Sequence, residues 1–448
     1  MKTADPFLWG AATSSHQIEG YNEHNDWWHW EAQGHIDGGA RSGAATDHRN
    51  RFREDIRLAA ELGLNSYRFS VEWSRLEPEE GRWDSAAFEW YRELIAECEK
   101  YKILPMLTLH HFTSPQWFAS QGGFTSDDSP GKFAEYVKRV AQSLGSRVPL
   151  WCTFNEPMVL ITGTYLASFM PPARFSPANA SAASYNMLRA HVLAYDILHK
   201  EIPLREGPWK DHPVLVGIAH NMMDFLPDRR WNLIEQLLTH VMRRYFNRSW
   251  LDAITGRKQS FGVLGLIPHP KQVAEARGRK TTDFIGMNYY TKGYVQWLAR
   301  SERRLQTLPI SLRFARHKER VSDLGWTIHP AGFAKLLKEV ASYGLPIYIT
   351  ENGIADRDDR MRSEYLVLHL HEVAKAIATG IDVRGYYHWS LIDNFEWIKG
   401  FGPRFGLFNV NYDTFERTPT LSAQLYKKLI HAHRQEHDSP PSIEIVRK

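Results

Sequence analysis

Cysteine is scarce in this chain of 448 residues, and long apolar runs and a strong charge excess are missing. The two cysteines, Cys98 and Cys152, have no metal-ligand spacing, and we expect both to be inert, reduced thiols in or near the core. No window approaches the ~18 apolar residues of a transmembrane helix. Because 55 basic residues nearly balance 51 acidic ones, charge gives no reason to expect a nucleic-acid or membrane partner.

The amino terminus also lacks the apolar segment of a secretory signal peptide, since Met1 to Pro6 lead directly to the apolar run at Phe7. This pattern predicts a cytoplasmic protein. Hydrophobic residues (43%) and charged residues (24%) are close to the average for a globular protein, so a sizeable core is available. No low-complexity linker or composition break divides the chain, and we expect one domain over residues 1–448.

Aromatic residues are abundant, with 16 Trp and 19 Tyr. Trp and Tyr combine a large flat face with a polar tip, which suits the apolar faces and hydroxyl rims of sugars. A large aromatic core is the simpler interpretation for most of these rings. The aromatic content therefore permits a sugar site without locating it.

A repeated order of helix, glycine and strand predicts a parallel α/β sheet. Four helical patterns end at a glycine that a β-branched or aromatic strand follows; these glycines are Gly63, Gly145, Gly344 and Gly380. Eight strands are predicted in all, at residues 7–13, 64–70, 104–109, 150–154, 214–220, 283–289, 346–350 and 383–389. Their even spread predicts a single (β/α)8 TIM barrel with long βα loops, because a minimal barrel needs only about 250 residues.

Two glutamates follow or end predicted strands in similar surroundings. Glu156 lies in Thr153-Phe154-Asn155-Glu156-Pro157, and Glu351 lies in Ile347-Tyr348-Ile349-Thr350-Glu351-Asn352-Gly353. They are 351 − 156 = 195 residues apart, so only a closed or strongly curved sheet could bring them together. Paired carboxylates in an aromatic-rich chain point to glycoside chemistry.

Other polar and aromatic residues stand at the carboxyl ends of the predicted strands, where barrel enzymes place their sites. They are Gln17, Arg68, His110, His111, Asn155, Asn288, Tyr290 and Trp389, followed by the loop Asp393-Asn394-Phe395-Glu396-Trp397. With Glu156 and Glu351, they occupy seven of the eight predicted strand ends. Adjacent side chains on a strand point to opposite faces, so His110 and His111 do not form a metal pair, and we expect no metal and no cofactor.

With these motifs in their order and spacing, the chain resembles glycoside hydrolase family 1, the retaining β-glycosidases, over nearly its whole length. The resemblance implies that Glu156 is the general acid/base and Glu351 the nucleophile. It implies that Arg68 and Tyr290 keep Glu351 ionised and oriented, and that Asn155 holds the sugar 2-hydroxyl. The expected substrate is a terminal, non-reducing β-D-glucoside, with galactosides and fucosides as further possibilities.

The resemblance also implies a set of substrate-binding residues. Gln17, His111, Glu396 and Trp397 would ring the terminal sugar, with Trp389 as the stacking floor and Asn288 alongside. Trp326 would either flank the aglycone or merely cover the barrel. Phe112 departs from the family, which usually has Trp after the histidine, and this removes one indole donor.

Several alternatives stay open at this point. A transglycosylase would share the glycosyl-enzyme intermediate, and Glu396 disfavours a 6-phospho-β-glycosidase because it would repel a phosphate, although Lys399 is near. A non-catalytic sugar-binding barrel and a metal-dependent hydrolase are less favoured. The basic segment Arg300 to Arg320 is typical of a solvated loop, with an anionic or oligomeric partner as the alternative. The sequence does not determine an oligomeric state.

Overall fold

The structure is a computed structural model that describes residues 7–202, 206–257, 279–298 and 310–435. Eight parallel strands form a closed barrel, and each pairs with its neighbours in chain order. The barrel strands are β1 Leu8–Ala12, β2 Ser66–Ser70, β3 Leu104–His110, β4 Leu150–Asn155, β5 Leu215–Asn221, β6 Phe284–Tyr289, β7 Ile347–Asn352 and β8 Val383–Trp389. The predicted TIM barrel is confirmed, and each predicted strand overlaps one barrel strand.

Closure is visible in the register of β1, because Gly10 pairs with Ser66 of β2 on one side and with Tyr387 of β8 on the other. The longer helices are His48–Glu61, Ser85–Lys100, Ser129–Leu144, Pro177–Glu201, Leu233–Met242, Pro330–Ala341, Arg362–Ala378 and Leu421–Gln435. Shorter helices are Ser15–Ile18, Asp26–Ala32, Trp73–Leu76, Gln116–Ser120, Pro157–Tyr165 and Ser249–Ile254, with a π-helical segment Arg243–Arg248. Short 3₁₀ turns are Asp37–Gly39, Gly123–Thr125, Gly145–Arg147 and Trp397–Lys399.

The helix–glycine–strand pattern has a clear physical basis at three of its four positions. Gly63, Gly344 and Gly380 have φ angles of 85°, 70° and 87°, in the left-handed region that a residue without Cβ adopts readily. Gly145 differs, because it has φ −65° and the chain continues into the 3₁₀ turn Gly145–Arg147. The strand that follows still begins at the predicted residue, Leu150.

The core has two layers. Side chains such as Met106, Cys152 and Tyr387 fill the barrel interior, and a larger cluster lies between the strands and the surrounding helices. Cys98 belongs to that outer layer, and both cysteines are fully buried and free, as predicted. Burial raises the pKa of the Cys152 thiol to about 11 and raises that of Cys98 as well, so neither is a ready nucleophile.

Outside the barrel, the strands Asp224–Pro227, Lys292–Trp297 and Ile310–Arg313 form a small sheet, and Phe408–Val410 pairs with Arg417–Pro419. Part of the basic segment is held by this sheet and by a helix. Arg313 forms an ion pair with Asp228, and Arg320 forms one with Glu364. Arg300, Arg303 and Arg304 lie outside the described residues. Among the helices that are described, none combines the length and the apolar character that crossing a bilayer requires.

Candidate active site

Glu156 occupies a sharp junction at the carboxyl end of the barrel. It follows β4 directly and precedes the helix Pro157–Tyr165, and its backbone has φ 45°. Its N–H donates to the carbonyl of Ala219 in β5 at 2.7 Å. Pro157 suits the next position because the first helical N–H needs no partner and its φ is already helical. The side chain is thereby fixed at the strand end, and only 6% of the residue is exposed.

Glu351 lies within β7 and is held by two donors. Nη1 of Arg68 donates to its Oε1 at 2.6 Å, and the hydroxyl of Tyr290 donates to its Oε2 at 2.5 Å. Arg68 is completely buried, and its Nε donates to Thr108 Oγ1 at 3.1 Å. Both oxygens of Glu351 are thus engaged, one by Arg68 of β2 across the barrel and the other by Tyr290 directly after the adjacent β6, and these two contacts fix its orientation.

Glu156 is held by two side-chain amides. Nδ2 of Asn288 and Nδ2 of Asn221 donate to its Oε1, at 2.9 Å and 2.8 Å. Asn288 is oriented in turn by the hydroxyl of Thr350, which donates to its Oδ1 at 2.6 Å. The second carboxylate oxygen is left without a donor from these amides, which leaves it available to a ligand.

One side-chain oxygen joins the surroundings of the two carboxylates. Oδ1 of Asn155 accepts from Nη2 of Arg68 at 2.7 Å and from Nδ2 of Asn288 at 3.2 Å. Arg68 contacts Glu351 and Asn288 contacts Glu156, so a continuous chain of hydrogen bonds runs from one carboxylate to the other. The structure thus brings the two glutamates into one buried network despite their separation in sequence.

The two carboxylates have different electrostatic surroundings. Burial, and then the charge of Glu351, raise the pKa of Glu156 to about 8. Burial also raises the pKa of Glu351, but the Arg68 guanidinium and the Tyr290 hydroxyl oppose that rise. Glu351 is therefore the member with direct support for its charged form, and Glu156 is the member that retains a proton near neutral pH.

The predicted sugar-binding residues lie at the same carboxyl end of the barrel, around its open mouth. Nε2 of Gln17 donates to Asn394 Oδ1 at 2.9 Å and to Glu396 Oε2 at 3.3 Å. Burial, and then the charges of the two candidate catalytic glutamates, raise the pKa of Glu396 to about 8. Trp389 ends β8, is 3% exposed, and stacks on the ring of His111 with 5.9 Å between centroids.

His111 connects this group to the carboxylate network. Nδ2 of Asn155 lies 3.0 Å from its Nε2; since the amide nitrogen is a donor, Nε2 accepts and the proton belongs on Nδ1. Burial, and then the charge of Arg68, hold the pKa of His111 well below its usual range, so the ring is neutral. Its buried Nδ1 has no partner among the described residues, which leaves it free for a ligand hydroxyl.

Three aromatic residues near the mouth have distinct surroundings. Trp397 stacks on the His111 ring at 6.1 Å and contacts Trp27 at 4.6 Å, so Trp27 supports the site from behind. Trp326 is half-buried and packs against Tyr290 with 5.4 Å between ring centroids, which places it at the rim. His110 points elsewhere, because its Nε2 lies 3.1 Å from Ser114 Oγ and its ring packs on Phe154.

For two residues of this network, the sequence predicts no role in the site. Asn221 ends β5, one residue beyond the predicted strand 214–220, so the fifth strand contributes a polar group after all. Thr350 was predicted only as part of β7, yet it orients Asn288. A polar residue at a strand end was the available signal for Asn221. Nothing in the sequence distinguishes Thr350 from any other strand threonine.

Among the described residues, no group of three or more His, Cys, Asp or Glu side chains is arranged to hold a metal ion. The mouth contains two buried carboxylates with different proton affinities, and hydrogen-bonding groups and aromatic faces surround them. On a (β/α)8 barrel, this combination defines a hydrolase of the glycosidase class.

Comparison with known proteins gives the family. The model for glycosyl hydrolase family 1 matches residues 2–435, and the chain belongs to that family. It is 31% identical to β-glucosidase A of Acetivibrio thermocellus over 95% of this chain and 97% of the relative. The chain is therefore a glycosyl hydrolase, as the sequence predicted.

Solved structures agree in fold and length. The β-glycosidase from Pyrococcus horikoshii is 41% identical with a TM-score of 0.83, and the match covers 95% of this chain and 93% of that one. The β-glucosidase from Thermotoga maritima in complex with glucoimidazole is 30% identical with a TM-score of 0.85, covering 95% and 98% of the two chains. A bound sugar mimic in a relative supports a small-molecule glycoside as the kind of substrate.

Proposed function

We propose that the chain hydrolyses terminal, non-reducing β-D-glucosyl residues with retention, using Glu351 as nucleophile and Glu156 as general acid/base. The observation that carries this proposal is the asymmetry of the two carboxylates. Glu351 is paired with Arg68 and Tyr290, whereas the side-chain hydrogen bonds that Glu156 receives from the described residues come from the neutral amides of Asn221 and Asn288. A charged nucleophile and a protonated acid are what the first step of glycoside cleavage requires.

In that first step, an oxygen of Glu351 forms a bond to the anomeric carbon as the glycosidic bond breaks. The leaving oxygen takes the proton of Glu156, so an alcohol departs and Glu156 becomes a carboxylate. In the second step, Glu156 removes a proton from water, and the water oxygen displaces Glu351 from the anomeric carbon. Both residues return to their starting states, and two displacements leave the β configuration unchanged.

Binding of the terminal sugar is assigned to the groups around the mouth. Gln17 and Glu396 would bind hydroxyls, Nδ1 of His111 would donate to another, and Trp389 would lie under the ring face. Glucose is the favoured sugar, with galactose and fucose possible. Trp326, at the rim beside Tyr290, would flank the aglycone.

A neutral sugar is favoured over a 6-phosphosugar by the charges nearby. Glu396 provides a carboxyl group and no positive charge for a phosphate, and Lys399 forms an ion pair with Asp37 at 2.8 Å. Arg404, in the adjoining loop, is bound to Asp393 at 2.9 Å. Both cations thus have carboxylate partners already. Transfer of the sugar to an alcohol instead of water would use the same groups, and product analysis with added acceptor separates the two outcomes.

The proposal is tested by trapping the intermediate. A 2-deoxy-2-fluoro-β-D-glucoside with a good leaving group should inactivate the enzyme with one label per chain, because fluorine slows both steps and the good leaving group offsets this only in the first. Peptide mass spectrometry should find the label on Glu351. Labelling of another residue would reject the assignment of the nucleophile, and binding without labelling or turnover would favour a non-catalytic sugar-binding barrel.

The pH dependence of kcat/KM should reflect the protonation of Glu156. Its pKa of about 8 means that the acid is protonated below that value and loses its proton above it. With a poor leaving group, kcat/KM should therefore fall about tenfold per pH unit beyond about pH 8. The acidic limb should lie above the ordinary range of a glutamate, because the pKa of Glu351 is raised.

Asn221→Ala provides a matched variant for this pH profile. The Asn221 amide lowers the pKa of Glu156 by donating to it, so removing the amide should move the alkaline limb to higher pH. An activated aryl glucoside, which needs little protonation, should show a weaker alkaline limb in both proteins. If the alkaline limb shifts neither in the variant nor with the leaving group, the group that titrates there is another one, such as Glu396.

A further inference from the structure

A cavity of about 220 Å³ lies beside the sugar-binding residues but outside the catalytic mouth. Its walls come from three separate parts of the chain: the loop and helix at Asp26, the segment from Phe112 to Thr125, and the helices that carry Thr164 and Ala183. Phe112 is shared with the proposed sugar site, because its ring meets that of Trp397 edge-to-face at 5.2 Å. At a share of about 30 Å³ per water molecule, the cavity has room for a small organic ligand.

Two polar side chains in this cavity have an oxygen open to a ligand, and one of them is fully buried. Thr164 is 3% exposed, and its Oγ1 has no hydrogen-bond partner among the described residues. Asp26 uses only Oδ1, which accepts the N–H groups of Ser114 and Trp27, each at 3.0 Å. In the part of the chain that is described, no donor reaches its Oδ2. Because an unpaired buried polar group is unfavourable, the Thr164 hydroxyl calls for a ligand or for water, and Oδ2 of the half-buried Asp26 is open to the same ligand.

The charge state of Asp26 is consistent with this unpaired position. Burial raises its pKa to about 7, and no cation within the described ranges forms an ion pair with it. Tyr165, Asn179 and Arg174 line the same space. The cavity therefore combines a carboxyl acceptor with the unpaired hydroxyl of Thr164 and with lining residues whose side chains can donate hydrogen bonds.

Apolar side chains complete the cavity. The rings of Phe112 and Phe124 are 5% and 6% exposed, and Ile161 and Met187 close the inner wall. Flat aromatic faces beside hydroxyl-binding groups match the alternating C–H faces and hydroxyl edges of a pyranose. A simple cation would use the carboxylate but not the hydroxyl donors. Arg174 also lines the cavity, so its acidic and basic side chains are of opposite sign and favour a neutral ligand over a charged one.

We propose that this cavity is a second carbohydrate site, which binds one neutral monosaccharide between Asp26, Thr164 and the ring of Phe112. It is separate from Glu156 and Glu351 and does not depend on the reaction assigned to them. For a ligand of this size, a dissociation constant on the order of millimolar is expected.

The test places a reporter in the cavity wall and uses D-glucose as the probe. Asn179→Cys introduces a thiol in the first turn of the helix Pro177–Glu201, and the native Cys98 and Cys152 are buried and do not react. Iodoacetamide should alkylate the new thiol, and D-glucose should slow that reaction with saturation in the millimolar range. Ser85→Cys, an exposed position in the first turn of another helix, is the matched control and should show no protection.

Two further changes in the Asn179→Cys protein locate the ligand. Asp26→Asn retains Oδ1 for its two backbone donors and removes the charge, and it should raise the glucose concentration for half-protection at least about tenfold. Thr164→Val keeps the side-chain shape and should raise it several-fold. Equal molar trimethylamine N-oxide, which is excluded from protein surfaces, should give no protection.

The outcomes are decisive in both directions. Saturable protection that weakens in both variants supports the site. Absence of protection up to concentrations far above millimolar, or protection unchanged by Asp26→Asn and Thr164→Val, overturns it. Because the readout is alkylation at residue 179, the result does not depend on turnover, and a failure of the proposed function would leave it interpretable.

Discussion

Glu351→Ala should lower kcat/KM for an aryl β-glucoside by at least about 10⁴-fold, because the covalent step loses its nucleophile. The space left by the side chain would lie opposite the leaving group. Azide added to this variant should therefore restore turnover with an activated substrate and yield the α-glucosyl azide, a product of single displacement. Steady-state kinetics and product NMR measure both effects.

The control for this variant is a carboxylate outside the network. Glu135 is exposed on the helix Ser129–Leu144, and Glu135→Ala should keep the activity of the unmodified protein. Circular dichroism should show that both variants are folded. Activity of Glu351→Ala within about tenfold of the unmodified enzyme would contradict the role of this residue, as would a β-configured azide product.

Glu156→Ala should give a loss that depends on the leaving group. For an alkyl glucoside, the bond-breaking step should slow by about 10²–10⁴-fold, because the departing alkoxide receives no proton. For a dinitrophenyl glucoside the same step should change little, and the glycosyl-enzyme should accumulate, because water is no longer activated. A burst of dinitrophenol followed by slow turnover is the expected signature in stopped-flow measurements.

Azide distinguishes this variant from the previous one. It needs no general base, so it should accelerate breakdown of the accumulated intermediate and give the β-glucosyl azide, with retained configuration. The pair of variants should thus give azides of opposite configuration from one substrate. Equal losses for alkyl and dinitrophenyl glucosides in the first step would remove Glu156 from the acid role.

Most of the fold could be predicted from the sequence because the barrel strands are local features. Runs such as Leu104–His110 and Ile347–Asn352 are β-branched, aromatic or aliphatic, and each ends in polar residues. The left-handed glycines were predictable for the same reason. The conformation of Gly145 could not be predicted in this way, because it depends on the turn that follows and not on the flexibility of glycine.

The position of the candidate site residues at the carboxyl end of the barrel could be predicted, but the hydrogen bonds between them could not. Asn155 was expected to hold a sugar hydroxyl, yet its Oδ1 accepts from Arg68 and Asn288, and its Nδ2 lies against His111. Two of these partners lie in other strands and His111 directly follows a third, and their distances follow from barrel closure, which no local pattern encodes. The cavity beside Phe112 was unpredictable for the same reason, since three distant segments enclose it.

The hydrogen-bonded chain through Asn155 has a consequence for how such an enzyme can change. Four of its five members, Arg68, Asn155, Asn288 and Glu351, belong to strands, and Glu156 is anchored to β5 by its own backbone. The spacing of the two glutamates is thus set by the barrel strands. Insertions and substitutions in the surrounding loops can therefore change the ligand preference without changing the distance between the two glutamates.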